Sequence, residues 1–288
     1  MQRPAFSSLR PPESRALRTL FGVLAGLYLV TVLLAAVAPL TATSVFLQIS
    51  LVFESVTSGK VWMLLSYALF HDVNFSAPLL DLALGALLVA GLIAGLRSEF
   101  GRREPGLVLI GAFIGMLLLQ QFGFGAVFHL LGNLLTLWFF APEFARRWGD
   151  AQMVRFFASC ALGGSVFAAL VSLVAPGSTG FAVLGASAGA IGFLTAFAVY
   201  FPDVPVFASM LVPVKAKHLV LIVVLFDLVS AAGPGPEPTL WLHVGGIGTA
   251  FLLTTGYWRP GKLKDRFAGV PPTRKSHLRV VKKDDWIH

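Results

Sequence analysis

The chain has 288 residues, of which 56% are apolar and only 12% charged, with a mean hydropathy of +0.80. About a quarter of the residues of a soluble protein are charged, so this chain is neither a disordered protein nor a soluble globule. A single cysteine, Cys160, excludes a disulfide scaffold. The composition therefore predicts a polytopic membrane protein, with Cys160 as an inert core residue.

Charged residues occur in short groups between long uncharged runs, which cover 19–53, 105–142, 156–202 and 238–258. A bilayer core of about 30 Å needs roughly 20 helical residues, so the second and third runs must each cross twice. The third run has a break at 176–180, where Pro and Gly interrupt the helical pattern. The chain is thus predicted to have about eight spans, at roughly 19–39, 77–96, 106–123, 128–145, 156–175, 184–201, 217–232 and 241–258.

The basic residues between these spans fall on one side of the membrane. With a cytoplasmic N-terminus, Lys60 is the only one of the 22 lysines and arginines outside the inner groups. The net charge of +8 therefore indicates orientation rather than nucleic-acid binding. We expect a multi-pass protein of the cell membrane with both termini in the cytoplasm. Its parts are an N-terminal segment (1–18), a membrane domain (19–258) and a basic tail (259–288).

Polar side chains interrupt the predicted spans at three places. His129 and Asn133 lie one helical turn apart, Ser187 follows Gly185-Ala186, and His243 lies near the start of the last span. Each of Ser187, His243 and His129 precedes the inner end of its span by 15 to 17 residues. At 1.5 Å per residue, all three lie about 22–26 Å above the inner membrane boundary and therefore near the outer surface. Glycine and alanine surround the serine, and glycine follows His243. Such small residues allow close helix packing in lipid.

This set of side chains fits nucleophilic catalysis. A serine hydroxyl needs a base to take its proton, and neutral imidazole suits that near pH 7. Ser187 is therefore the candidate nucleophile and His243 the candidate general base. His129, Asn133 and the Ser187 N–H could stabilise an oxyanion. The sequence predicts no metal site and no cofactor.

Three carboxylates also lie within or beside the predicted spans. Asp227 comes 10 residues after Lys217, so counting places it about 8 Å deeper than His243. That depth predicts a structural or hydrogen-bonding role for Asp227 and argues against a triad. Asp81 and Glu143 lie near span ends and are expected to reach the interface.

Five segments occur in an order that resembles the rhomboid family of intramembrane serine proteases. Residues 62–71 resemble its outer loop, 128–133 carry its His-x-x-x-Asn motif, 185–187 its nucleophile motif, 213–217 a common cytoplasmic turn and 243–246 its last helix. Each motif alone is weak, whereas the ordered set is specific and, apart from residues 73–126, covers most of 17–258.

The resemblance implies an all-α, six-helix rhomboid-like core, here with an extra transmembrane hairpin inserted at about 73–126. It also implies a Ser187–His243 dyad without an acid, an oxyanion hole from His129 and Asn133, and motif support from Gly185 and Gly246. The partners would be transmembrane protein substrates within the lipid bilayer, cut near its outer face, and no nucleic acid. A helical substrate must unwind first, because its backbone is hydrogen-bonded and shielded.

The chain departs from the family pattern at several positions. Ala188 replaces a glycine after the serine, and Ile191 replaces an aromatic residue common four positions after it, which puts the imidazole orientation in question. The insert would either close one side of substrate entry or pack outside the six-helix core, and we favour the second. Other hypotheses are an inactive rhomboid-like protein that binds transmembrane helices, and a transporter with a proton relay through His129, Asp227 and His243.

Overall fold

A computed structural model describes residues 13–104, 126–174, 182–208, 212–231 and 238–259, together with Val108, Gly111 and Gly115. The predicted span at 106–123 lies almost wholly outside the described residues. The predicted break at 176–180 and the tail beyond Arg259 also lie outside them.

Helices account for most of the described chain, and a short β-hairpin joins two of them. In order they are α1 (Arg15–Val37), α2 (Pro39–Ile49), α3 (Phe53–Thr57), α4 (Met63–Ser66) with a 3-10 turn (Tyr67–Leu69), α5 (Pro78–Arg97), α6 (Glu99–Arg103), α7 (Ala126–Trp148), α8 (Asp150–Val174), α9 (Ser187–Tyr200), β1 (Pro205–Ala208), β2 (Val212–Lys215), α10 (Ala216–Ala231) and α11 (Pro238–Thr255).

The helices occur where the hydropathy pattern predicts spans. By length and composition, α1, α5, α7 and α8 are each able to cross a membrane. The helices α9, α10 and α11 are apolar but shorter, and they match the predicted spans at 184–201, 217–232 and 241–258. Every predicted span that falls on described residues is therefore helical. The polytopic, all-α architecture is confirmed.

Helix α9 occupies the centre of the bundle. Every residue from Ala188 to Ala198 is buried, and the neighbours of α9 are α7, α8, α10 and α11. Its sequence has no charged residue, so it can be enclosed on all sides without unpaired charge. Because Ser187 begins this helix, the packing of the bundle determines where the serine lies.

Backbone contacts through glycine join α8, α9 and α11. A Cβ added at Gly246 of α11 would lie 2.7 Å from the carbonyl oxygen of Ala188. A Cβ added at Gly164 of α8 would lie 2.7 Å from the carbonyl oxygen of Leu242 and 2.8 Å from Cβ of Ala188. No real side chain tolerates such distances, so only glycine permits this approach. The close packing expected from the small residues is therefore present.

Residues 39–77, which we call the outer loop, connect α1 to α5 and contain α2, α3 and α4. The loop is fixed to the chain that leads into α9. Leu51 and Val183 exchange backbone hydrogen bonds of 2.9 and 3.1 Å, and the Gly185 N–H donates to the carbonyl oxygen of Tyr67 at 2.9 Å. The Tyr67 hydroxyl in turn donates to Ala161 of α8 at 2.8 Å. The sequence pattern did not predict the helices of this loop.

The hairpin β1–β2 is the one departure from the all-α prediction within the described ranges. Its strands are antiparallel, with Pro205 opposite Lys215, and they connect α9 to α10. Asp203 precedes the hairpin and pairs with Lys215 and Lys217. Hydrogen bonds from the two ammonium groups lower the pKa of Asp203, although the pair is solvent-exposed. Residues 213–217, which were expected to form a turn, instead belong to β2 and to the start of α10.

Helix α5, from the predicted insert, packs on the outside of the bundle that surrounds α9. Its principal neighbours are α1, α6 and α7. Asp81 on α5 is only 1% exposed, and its carboxylate accepts a 3.4 Å hydrogen bond from the backbone N–H of Val127 in the first turn of α7. The expectation that Asp81 reaches the interface was wrong, because residue counting along one helix does not reveal the neighbour that covers it. Glu143, by contrast, is partly exposed and pairs with Arg146 and Arg147.

Replacing Asp81 with alanine should destabilise the fold by about 1–3 kcal/mol, because the buried Val127 N–H loses its acceptor. Thermal unfolding in detergent measures this change. The matched control is Asp203→Ala, since exposed ion pairs contribute about 1 kcal/mol or less. Equal melting temperatures for the two variants would contradict the anchoring role of Asp81.

Candidate active site

The turn that precedes Ser187 depends on glycine. Gly185 has φ +135°, a left-handed conformation that side chains rarely adopt. A Cβ at this position would also overlap Cε1 of the His129 imidazole and lie 2.9 Å from its Nε2. Ser187 then begins α9 and is half-buried. The backbone N–H of a first helical residue has no acceptor within its own helix, which suits an oxyanion donor.

His129 and Asn133 lie one turn apart on α7, as expected from their spacing. The His129 ring packs against Gly185, two residues before the serine. Asn133 is buried, and its Nδ2 lies 3.0 Å from Nε2 of His71. The structure thus places His129 beside the serine turn, and it places Asn133 in a hydrogen bond with a residue of the outer loop.

His71 is a member of this site that the sequence analysis did not single out. It is fully buried, and its Nε2 accepts a 3.4 Å hydrogen bond from the Ala186 N–H. The same nitrogen lies 3.0 Å from Nδ2 of Asn133. Its ring centroid is 5.3 Å from that of His129. With Nε2 as acceptor, the proton of a neutral His71 is assigned to Nδ1. Its only sequence signal was its position at the end of the segment 62–71.

His243 and Asp227 form a hydrogen-bonded pair between α11 and α10. Nδ1 of His243 lies 2.7 Å from Oδ2 of Asp227, and the two side chains are only 12% and 9% exposed. The expectation that Asp227 lies about 8 Å deeper than His243 was therefore wrong. Asp227 comes 11 residues after Ala216, the first residue of α10, and His243 comes 12 residues before Thr255, the last residue of α11, which is about 17 and 18 Å along the two helices. Arg259 lies beyond the end of α11 and was a misleading reference point.

The helices that carry Ser187 and His243 are in contact through residues close to these two side chains. Gly246, one turn after His243, packs on the carbonyl of Ala188, and both Leu242 and Ala188 pack against Gly164. Nε2 of His243 is buried and has no hydrogen-bond partner among the described residues, so it makes no hydrogen bond to Ser187 in this structure. Nε2 is the nitrogen that a base would turn towards a serine.

The two departures near the serine are accommodated within the bundle. Ala188 is fully buried, and its methyl group packs against Gly164 of α8. Ile191 is also buried, at 5% exposure. The methyl group that distinguishes Ala188 from glycine therefore has a place between α8 and α9.

A family model for the rhomboid domain matches residues 109–260, which is more than half of the chain. The chain belongs to the rhomboid family. The match contains α7 to α11 and therefore every candidate site residue named from the sequence, while the outer loop with His71 precedes it. No curated protein and no solved structure matches the chain significantly. The resemblance inferred from the ordered motifs is thus confirmed, and with it a multi-pass rhomboid protein of the membrane.

Proposed function

We propose that this rhomboid protein is an intramembrane serine endopeptidase. It cleaves transmembrane segments of other membrane proteins near the outer face of the cell membrane, with Ser187 as nucleophile and His243 as general base. The observation that carries the proposal is the unpartnered Nε2 of His243, on a helix in backbone contact with the residue after Ser187. A buried nitrogen without a partner calls for an explanation, and a role in proton transfer is one.

In the proposed acylation step, Nε2 of His243 takes the proton of the Ser187 hydroxyl as Oγ attacks the scissile carbonyl carbon. The carbonyl π electrons move to oxygen and form a tetrahedral oxyanion. When that intermediate collapses, the C–N bond breaks and the imidazolium gives its proton to the leaving amine. Water then attacks the acyl-enzyme by the same route and releases Ser187.

The oxyanion would be stabilised by His129, Asn133 and the Ser187 N–H. An asparagine amide carries two hydrogens, so Asn133 can donate one to His71 and keep the other for the oxyanion. His71 thereby holds the Asn133 amide in place before substrate arrives. This reaction needs no cofactor.

The proposed partners are transmembrane protein substrates and the surrounding lipid bilayer, and the proposed orientation has both termini in the cytoplasm. Basic groups border the spans on that side, whereas the serine turn lies at the opposite end of α9. Water and an unwound substrate segment meet the serine most readily near the outer face.

A serine-directed fluorophosphonate tests the proposal on the full chain in detergent. We expect wild-type protein to be labelled at Ser187, and Ser187→Ala and His243→Ala to abolish labelling. Ser172→Ala is the matched control, because the Ser172 hydroxyl donates to the Ala169 carbonyl oxygen within its own helix, α8. Labelling that persists without Ser187, or wild-type protein that neither labels nor cleaves a transmembrane substrate, would contradict the proposal.

A second candidate function is the binding of transmembrane helices without cleavage. The observation that favours it is the pair of departures beside the serine, Ala188 in place of a glycine and Ile191 in place of an aromatic residue. Folded wild-type protein that captures a transmembrane peptide but never reacts with the fluorophosphonate would support this candidate. A proton relay through the membrane is less favoured, because its one deep member, Asp227, lies beside His243.

A further inference from the structure

The catalytic base of the proposed protease has a carboxylate partner that its family resemblance did not imply. Nδ1 of His243 and Oδ2 of Asp227 are 2.7 Å apart, a distance typical of a charge-assisted hydrogen bond. The two residues come from adjacent helices, α11 and α10, and both side chains are largely buried. Within the described part of the chain, His243 is the only ion-pair partner of Asp227.

A buried hydrogen bond to one imidazole nitrogen decides what the other nitrogen can do. If the carboxylate accepts the Nδ1–H, a neutral imidazole carries no proton on Nε2 and can take one from a serine. The same carboxylate stabilises the imidazolium that forms during the reaction. Nε2 of His243 is the atom without a hydrogen-bond partner, as this arrangement requires.

A carboxylate within an apolar span is costly, so the position of Asp227 calls for a reason. Asp227 follows a run of apolar residues and lies four residues before the end of α10. The polar neighbour that the structure gives it is the imidazole of the candidate base. Packing alone would not require an acid there, since an apolar residue of similar size fills such a space at lower cost.

We propose that Asp227 is the positioning residue for His243. Its carboxylate holds the Nδ1–H tautomer and the ring orientation, so this chain uses a Ser187–His243–Asp227 triad instead of a dyad. The inference rests on the proposed protease function. Ile191 stands where the family commonly has an aromatic residue against the catalytic histidine. The hydrogen bond to Asp227 would orient the imidazole in place of that aromatic residue.

Kinetics on full-length protein in detergent provide the first test. Asp227→Asn should lower the fluorophosphonate labelling rate and kcat for a transmembrane substrate by roughly 100-fold to 10,000-fold, while KM changes little. Asp81→Ala is the matched control, because Asp81 is also a buried carboxylate but accepts its hydrogen bond from Val127 of α7. It should label within about threefold of wild type, although it is less stable.

A spectroscopic signature provides the second test and does not depend on activity. Heteronuclear NMR with isotope-labelled histidine should show a protonated Nδ1 and an unprotonated Nε2 for His243. A strongly downfield Nδ1–H resonance should accompany them. The His243→Ala variant assigns the signal, and Asp227→Asn should remove the downfield shift.

The outcomes separate this inference from the proposed function. If the fluorophosphonate labels wild type but not Ser187→Ala, and labels Asp227→Asn within about threefold of wild type, the protease function is supported and the triad is wrong. If Asp227→Asn and Asp81→Ala lose labelling equally, the role of Asp227 is only structural and the triad is also wrong. If the fluorophosphonate never labels wild type, the proposed function fails, and NMR that shows His243 protonated at Nε2 would then overturn the triad by itself.

Discussion

Replacing Gly246 with alanine is expected to force α9 and α11 apart and to lower the labelling rate of Ser187 by about 100-fold or more. The new Cβ would lie 2.7 Å from the carbonyl oxygen of Ala188 and 3.2 Å from its Cα, and backbone atoms cannot rotate away. His243 is one turn before Gly246, so a shift of α11 moves the imidazole. A misplacement of about 1 Å is enough for a loss near 100-fold. Overpacking should also cost about 1–3 kcal/mol of stability.

Gly248→Ala is the control for this prediction. Gly248 lies on the same helix, two residues further on, and a Cβ there meets nothing within 4 Å. We expect its labelling rate to match wild type and its stability to rise by about 1 kcal/mol or less, because alanine favours a helix interior over glycine. Labelling time courses and thermal unfolding in one detergent compare the two variants. Equal rates for them would show that the contact between Gly246 and Ala188 does not control the site.

Replacing Gly185 with alanine should lower kcat by roughly 100-fold to 1,000-fold, the loss typical of a missing oxyanion donor. The methyl group would occupy the space of the His129 ring, and the imidazole would have to leave the serine turn. Alanine would also adopt φ +135° only with strain. Steady-state cleavage of a transmembrane substrate measures the change.

Two controls separate the causes of that loss. Gly59→Ala introduces a side chain at φ +101° in open space, so it reports backbone strain alone. Gly132→Ala adds a methyl group in open space on α7, between His129 and Asn133. Both should retain near wild-type kcat. If Gly59→Ala lost as much activity as Gly185→Ala, a clash with His129 would not be the reason.

The spans could be predicted because the membrane imposes a length on every apolar helix. Uncharged runs located the ends of α7 to α11 within three residues, except that α8 begins six residues earlier than predicted. The glycines around Ser187 predicted the close approach of α11. The helices of the outer loop escaped this reasoning. Their sequence, 39–49 above all, continues the uncharged run of α1, so composition does not distinguish a second short helix from the end of a span.

The candidate site was only partly predictable, since depth along a helix depends on where that helix ends. Ser187, His129 and Asn133 were placed by their spacing and their motifs. The depth of Asp227 was predicted wrongly because Lys217 and Arg259 were assumed to lie at the same depth in the membrane. In the structure α11 ends at Thr255 and the chain turns at Gly256, before Arg259. His71 was missed because its role comes from a long-range contact with Asn133, 62 residues later, which no local pattern reveals.

The outer loop and the nucleophile form one mechanical unit. Backbone hydrogen bonds join Leu51 to Val183 and Tyr67 to Gly185, immediately before Ser187, and His71 bonds the Ala186 N–H. Lifting the loop as a rigid flap would therefore pull directly on the turn that aims the serine. Within the described residues, four hydrogen bonds link the outer loop to that turn, two of them between Leu51 and Val183. A movement of the outer loop and the alignment of the nucleophile are therefore coupled.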